Sequence, residues 1–542
     1  MINQPNISAQ LGSNVKSVFL IMLLQLCIYA NNSFALDTQQ RFLLIEGEDN
    51  EPRIAALDKI TKNADVSAIP FLQAVLDDSI KIKDKVIYQV GESSVTDVVT
   101  GKPIDLPEDA QDVVNNNQMR SEIEATIAAL NLLSKDEKIR LESAKVLLGA
   151  DPSQGRLALI RQQELVETVL AIKDILAQVR SSIELTSTDR LVRLAAVKEL
   201  SEKPNPNNKQ ILSSRLEEGG ETDAMVKDAI EQALKIIESK MAFYDKFGQI
   251  FTGISLGSIL LLAALGLAVT YGLMGVINMA HGEMMMIGAY ATYIIQNVYL
   301  HYFPNQFAWY LLVAVPFAFI VTALVGVVLE RLILRHLYGR PLETLLATWG
   351  VSLILMQLVR TFFGAQNVSV ENPAWMSGGV QIAANLILPY NRIFIIVFAM
   401  LVLLAMWLMI SKTRLGLFIR AVTLNRGMAS CVGVNTSKVD ALAFGLGSGI
   451  AGLAGVALSQ IGNVGPALGQ SYIVDSFMVV VLGGVGQLAG AVYAALGLGV
   501  LSKFLEGIAG AVLAKIFVLV IIIIFIQKRP QGLFAFKGRS LE

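Results

Sequence analysis

The stretch Gln249-Ile-Phe-Thr-Gly-Ile-Ser-Leu-Gly-Ser-Ile-Leu-Leu-Leu-Ala-Ala-Leu-Gly-Leu-Ala-Val-Thr-Tyr-Gly-Leu273 contains no charged side chain. A helix needs about 20 apolar residues to cross the hydrocarbon of a bilayer, and this run supplies them. Hydrophobic sequence continues from it, barely interrupted, to Leu300. Further runs follow at Trp309–Leu334, Ile393–Ile410, Ala441–Ile461 and Ile516–Ile526. The chain of 542 residues is 54% hydrophobic, with a mean hydropathy of +0.55. A soluble domain does not reach that balance at that length.

Upstream of the quoted run the character of the chain is different. Residues 1–240 hold 27 basic and 36 acidic side chains, whereas residues 241–542 hold 17 basic and 9 acidic ones. An acidic soluble region therefore precedes a basic membrane region. The basic surplus suits cytoplasmic loops, and nucleic acid is not needed to explain it. The first 35 residues read as a signal peptide. Lys16 precedes the apolar stretch Val18–Leu24, and Ser33-Phe-Ala35 fits a small-x-small cleavage site. Cleavage leaves Cys431 as the one cysteine, which excludes an internal disulfide.

Residues 36–240 read as a helical extension. Short amphipathic pairs start near Glu51, Asp136 and Asp189, each first helix with apolar residues at three- and four-residue spacing. They resemble HEAT-type repeats, which stack because one pair cannot bury its apolar face alone. Lys85–Val90 and Ser94–Thr100 are rich in β-branched residues and read as a hairpin. The expected fold class is all-α: a polytopic membrane protein of about 8–9 spans, behind a HEAT-like periplasmic domain.

Alternating crossings near 250–272, 275–298, 309–334, 344–363, 392–411 and 438–461 place Arg335, Arg340, Lys412, Arg414, Arg420 and Arg426 on the cytoplasmic side. Segment 364–391, which has no Lys or Arg, falls outside. This partition obeys the positive-inside rule. Three more crossings, near 472–484, 487–505 and 511–527, bring the basic tail inside; the first is short and could be a re-entrant half-helix. The membrane domain is set at 249–530.

The polar residues left among the spans bear on function. Tyr271–Tyr290 holds Asn278, His281 and Glu283 within an apolar stretch. Ionisable groups at membrane depth face a cavity or a polar partner, whereas a cytoplasmic turn would leave them wet. A metal centre needs more ligands than these supply, and none is expected. Gly447-Ser-Gly-Ile-Ala-Gly452 matches a dinucleotide fingerprint but sits in an apolar run without a preceding strand, so close helix packing explains it better. No G-x-x-x-x-G-K-[ST] sequence occurs. The chain therefore has no phosphate-cradling loop, and no catalytic constellation is evident. Ser411–Asn435 has helical apolar periodicity and four basic residues, a pattern suited to docking in a partner's groove.

Several of these segments resemble one family. Gly275-Val-Ile-Asn-Met-Ala-His-Gly-Glu283, Arg420-Ala-Val-Thr-Leu-Asn-Arg-Gly-Met-Ala429 with Gly433, Gly483-Gly-Val-Gly-Gln-Leu-Ala-Gly-Ala491 and Arg529-Pro-Gln-Gly-Leu533 look like the motifs of branched-chain amino-acid ABC importer permeases. Ala347-Thr-Trp-Gly-Val-Ser352, Phe363-Gly-Ala-Gln-Asn-Val368, Asn372-Pro-Ala-Trp375 and the long extension resemble the urea-transport branch. The resemblance implies a bacterial inner-membrane permease that translocates urea or a close analogue. It would pair with a second homologous permease, two cytoplasmic ATPases and a periplasmic substrate-binding protein. ATP would be used by those partners, with no cofactor in this chain. It also implies that Asn278, His281, Glu283, Thr348 and Gln357 serve the substrate path, and that Arg420, Asn425 and Gly433 belong to an ATPase-coupling loop. A branched-chain amino-acid permease is the alternative. From another class, a membrane receptor with a periplasmic domain would need a cytoplasmic signalling domain.

Overall fold

A computed structural model describes residues 38–46, 49–84, 86–91, 94–217, 220–275 and 278–534. The expected signal peptide lies outside the described residues. The chain divides into two compact units, Met1–Met241 and Ala242–Glu542.

The first unit contains α1 (Thr38–Glu46), α2 (Asn50–Lys62), α3 (Ile69–Leu76), α4 (Asn117–Asn131), α5 (Glu137–Gly149), α6 (Leu157–Val166), α7 (Leu170–Glu184), α8 (Arg190–Glu202) and α9 (Pro206–Ser214). Helices stand where the pairs were expected, but α2 and α3 both pack on α4, and α5 and α6 both pack on α7. Leu57, Ile60, Phe71, Leu72, Met119 and Ile123 share one core, and Ala144, Ile160, Ile172 and Leu176 share a second. Side-chain oxygens cap the helix starts: Asn116 accepts from Met119 N, Asp136 from Lys138 N and Asp189 from Leu191 N. Such caps satisfy amides that the helix leaves orphaned.

A half-buried arginine clasp recurs along this unit. Arg140 pairs with Glu167 through Nε (2.8 Å) and Nη2 (3.1 Å), while Nη1 donates to the carbonyls of Ser134 and Lys135. Glu167 also accepts from the amides of Thr168 and Val169. Arg193 makes the same set with Glu221, Ser187 and Thr188, and Glu221 accepts from Thr222 and Asp223. Arg53 occupies the matching place near the start of α2 and reaches Leu44 O, Val114 O and Asn115 Oδ1. Each arginine stands four residues after an aspartate, Asp49, Asp136 or Asp189.

The expected hairpin is part of a larger antiparallel sheet. Strands β1 (Ile80–Lys83), β2 (Val86–Val90), β3 (Val95–Asp97) and β4 (Gln111–Asp112) pair in the order β3-β2-β1-β4. Val90 faces Val95 and Ile82 faces Ile87. Ile80 and Ile87 are buried on the helical core.

Helix α10 (Ala224–Met274) begins in the first unit, where Val226, Ile230, Ala233 and Ile237 close a core with Leu200 and Leu212. The second unit continues with α11 (His281–Tyr302), α12 (Tyr310–Leu332), α13 (Pro341–Phe363), α14 (Tyr390–Lys412), α15 (Arg414–Leu424), α16 (Arg426–Cys431), α17 (Thr436–Ser459), α18 (Leu468–Gly483), α19 (Leu488–Ala509) and α20 (Ala511–Lys528). Among the described residues, seven helices are long and apolar enough to cross a membrane, those of α10, α12, α13, α14, α17, α19 and α20. This is fewer than the expected 8–9 spans. Helix α11 has the length, but His281, Glu283, Gln296 and His301 dilute its apolarity, and α18 has only 16 residues. The crossing expected from residue 275 starts as helix only at His281.

Helix α17 is the centre of this unit. Of its most apolar window, 89% is buried, against 17% for α14 and α20. A helix that is apolar all round and buried is a core element. Its glycines explain how. A Cβ on Gly447 would meet Gly266 O of α10 at 2.6 Å, one on Gly449 the Phe319 ring of α12 at 2.5 Å, and one on Gly455 the backbone at Met285 of α11. The fingerprint-like run therefore lets three helices approach α17 closely.

Outside the helices, segment 364–389 is held to the helix ends. It forms the hairpin of β5 (Gly379–Ala383) and β6 (Leu386–Pro389). Tyr310 Oη donates to Glu371 O at 2.7 Å, Glu371 N donates to Gln296 Oε1, and Val368 bridges Val464.

Candidate functional site

Helix α10 stops at Gly275, whose φ of +67° is the left-handed conformation that ends helices and favours glycine. The chain then turns back. His281 Nε2 lies 3.0 Å from Ala263 O. Ala263 is eleven residues before the end of α10, or about 16 Å at 1.5 Å per residue. Helix α11 therefore starts beside the body of α10. Gly282 lets α18 pack closely on the start of α11, because a Cβ there would meet Gly469 O of α18 at 2.6 Å.

Asn278, His281 and Glu283 are 5%, 0% and 1% exposed. They are not the side chains of a wet turn. Asn278 Oδ1 accepts from Ala280 N at 3.0 Å. Thr348 Oγ1 on α13 accepts from Met279 N at 3.2 Å, and Ser352 Oγ donates to Glu283 Oε1 at 2.9 Å. Thr348 and Ser352 lie one helical turn apart on the buried stripe of α13, which also carries Thr344, Val351, Met356 and Val359. Asn278 Nδ2, His281 Nδ1 and Glu283 Oε2 are buried with no hydrogen-bond partner among the described residues. Buried polar groups normally have partners, so this cluster retains hydrogen-bonding capacity.

Four of the five expected path residues come together in this way. Gln357 does not; it is exposed on α13, off the stripe. Ser352 was missed as a site residue, although its place four residues after Thr348 puts both on one helix face. No sequence signal marks the Ala263 carbonyl.

The loop expected at 412–437 forms two helices rather than one. Helices α15 and α16 are separated at Asn425, which is extended and caps α16 through Oδ1 to Met428 N at 2.9 Å. Gly433, with φ +90°, allows the turn before α17. Arg420, Asn425 and Gly433 are all exposed. Leu417, Leu424, Met428 and Val432 stand out beside them, while Ile419, Val422 and Ala429 are buried. The surface is basic and studded with apolar side chains.

A multi-helix membrane unit with a buried polar turn and an exposed basic loop has the form of a transport component. Comparison with known proteins agrees: residues 249–526 match the branched-chain amino acid transport system permease component, and the chain belongs to that family. It is 30% identical to the high-affinity branched-chain amino acid transport permease BraD of Pseudomonas aeruginosa, over 54% of this chain and 96% of that one. It is 35% identical to LivH of Escherichia coli K12, over 46% and 83%. A shorter likeness, 33% over 20% of this chain and 35% of the other, links it to the E. coli ribose import permease RbsC. No solved structure matches. The chain is thus a multi-pass membrane protein of a transport-permease family, and these relatives fit an amino-acid permease better than a urea permease.

Proposed function

We propose that this chain is the permease subunit of an ABC importer in the bacterial inner membrane and that it passes a branched-chain amino acid. The observation carrying the reading is the family match across 249–526, which includes the buried turn and the basic loop. In this reading the chain pairs with a second homologous permease. Two cytoplasmic ATPases supply the work, and a periplasmic binding protein delivers the substrate. Asn278, Glu283, Thr348 and Ser352 line or brace the path, with unused hydrogen-bonding atoms for a polar substrate. Gln357 faces lipid or the second permease. Arg420, Asn425 and Gly433 shape the surface that docks in the ATPases, whose exposed Leu417, Leu424 and Met428 suit an apolar groove. The absence of a phosphate loop supports a chain that hydrolyses no ATP by itself.

The first unit is, in this reading, a periplasmic stack of HEAT-like repeats behind a cleaved signal peptide. The recurring arginine clasps support the repeat. A second reading, urea or a close analogue, is favoured by one observation: the relatives match about half of this chain or less, which sets the long extension apart from them.

Uptake in a deletion strain separates the two. Radiolabelled leucine should enter only when this chain and its partners are expressed, and excess urea should not compete. Uptake of labelled urea that leucine does not compete would replace the first reading with the second.

A further inference from the structure

The basic loop is joined to the membrane helices by a half-buried polar contact that the proposed path does not use. Arg426, the first residue of α16, forms a two-point ion pair with Asp440 on α17. Nη2 contacts Oδ2, and Nη1 lies 3.5 Å from Oδ1. The Asp440 side chain is completely buried, whereas Arg426 is part-exposed. The same guanidinium lies over the Tyr338 ring, 4.6 Å from its centroid. Tyr338 Oη donates to Glu330 Oε1 at 3.0 Å, and Glu330 is buried in the last turn of α12. Close by, Arg335 Nη2 donates to Ser437 Oγ at 3.1 Å.

These contacts make a chain of charge and hydrogen bonds from the loop to the ends of two helices. Its geometry is directional. A guanidinium held at two points by a carboxylate and stacked on an aromatic ring resists rotation as well as separation. On either side of it the backbone can bend: Asn425 is extended between α15 and α16, and Gly433 has φ +90°. Helix α17 is the central element of the unit, with close glycine contacts to α10, α11 and α12. A displacement of α16 thus reaches the helix that the others pack upon.

We propose that Arg426 and Asp440, backed by Tyr338 and Glu330, are a positioning pair that carries movement of the 412–437 loop into α17 and α12. This rests on the reading of that loop as the ATPase-docking surface. The pair itself need not touch the ATPases. Its place is one step inward, where docking motion becomes helix motion. Coupling of this kind requires an element whose position both sites bias, and the pair supplies the link between α16 and α17.

The test uses the full importer in proteoliposomes: both permeases, two ATPases and the binding protein. Variants are Asp440→Asn, Arg426→Gln and the double substitution, which leaves no uncompensated buried charge. Three quantities are read: cross-linking from Cys431, which is exposed on α16, to the ATPases; ATP hydrolysis; and labelled leucine or urea, whichever the wild type carries, moved per ATP. Cross-linking and hydrolysis should stay near the wild-type level in all three variants. Substrate moved per ATP should fall on the order of tenfold in each single variant, and no further in the double one. An unchanged ratio would overturn the proposal. So would failure of the double variant to assemble, since that marks a merely structural pair. Absence of the cross-link in the wild type would overturn the docking reading on which the proposal stands.

Discussion

At the scale of single residues, the Glu283 contact is the most exposed to test. Its carboxylate accepts one hydrogen bond from Ser352, and its other oxygen is buried without a partner among the described residues. Removing a donor to a buried acceptor costs about 1–3 kcal/mol. Ser352→Ala should therefore lower uptake sharply while the importer still assembles, and Glu283→Gln should do the same. Uptake at the wild-type level in both variants would remove the cluster from the path. A pure brace would instead show lost assembly, measured by co-purification of the ATPases. Gly455 offers a different kind of residue-scale test. A Cβ there runs into the backbone at Met285, and overpacking a tight core costs about 1–3 kcal/mol. Gly455→Ala should lower the melting temperature of the purified protein, whereas Gly350→Ala, with open space around its Cβ position, should not.

At the scale of elements, much was legible. Long uncharged runs give helices because bilayer-spanning backbone must satisfy its own hydrogen bonds, and all the runs quoted from the sequence lie largely in helices. What was not legible has identifiable causes. Ile80–Lys83 alternates apolar and charged residues, but four residues are too few to separate a strand from a turn. The loop 412–437 has a continuous amphipathic pattern, yet Asn425 breaks it because its side chain caps the next helix. Gln357 was grouped with Thr348 on the fourth span, but the helix phase of α13 puts it on the other face. Gly433, with φ +90°, gives an element-scale prediction. Proline cannot adopt that conformation and removes an amide donor. Gly433→Pro should disturb the turn into α17 and reduce substrate-stimulated ATP hydrolysis, with membrane insertion intact. Normal transport by this variant would deny the loop its coupling role.

The clasps of the first unit add an element-scale prediction about pH. Glu167 has an ordinary value near 4.5, and the Arg140 guanidinium, with the amides of Thr168 and Val169, holds it lower against the effect of burial. A carboxyl with a depressed folded value stabilises the fold above its unfolded value, and that stability is lost as pH falls through the folded one. The protection of the Thr168 and Val169 amides against hydrogen exchange, relative to the free-amide rate at each pH, should therefore fall below about pH 4.5. Arg140→Ala strips a buried carboxylate of its partner, a change that costs about 3–5 kcal/mol. It should expose the α6–α7 turn to proteolysis even at neutral pH. Equal protease resistance in the variant would show that the clasp is not a stabilising joint.

At the scale of the whole molecule, the division into an acidic first unit and a basic membrane unit was visible in charge alone, and the family in the ordered motifs from Gly275 to Leu533. The substrate was not visible in either. A buried turn of Asn, His and Glu offers hydrogen bonds that suit many small polar molecules, and the relatives point to amino acids where the urea-like segments pointed elsewhere. The periplasmic placing proposed for the first unit rests on the signal-like start and the outer loop without Lys or Arg, and reporters test it. A periplasm-active enzyme fused after Lys240 should be active, and one fused after Phe536 silent. The reverse pattern would invert the topology.

The central claim is that this chain is a conduit whose work is done by other subunits. The direct measurement is accumulation of labelled leucine, with urea in parallel, inside proteoliposomes holding this chain, the second permease and the binding protein, with and without the ATPase subunits and ATP. The account predicts accumulation against the gradient only when ATPases and ATP are both present, and no hydrolysis by this chain alone. Concentrative uptake without the ATPases, or ATP turnover by the purified chain, would contradict it.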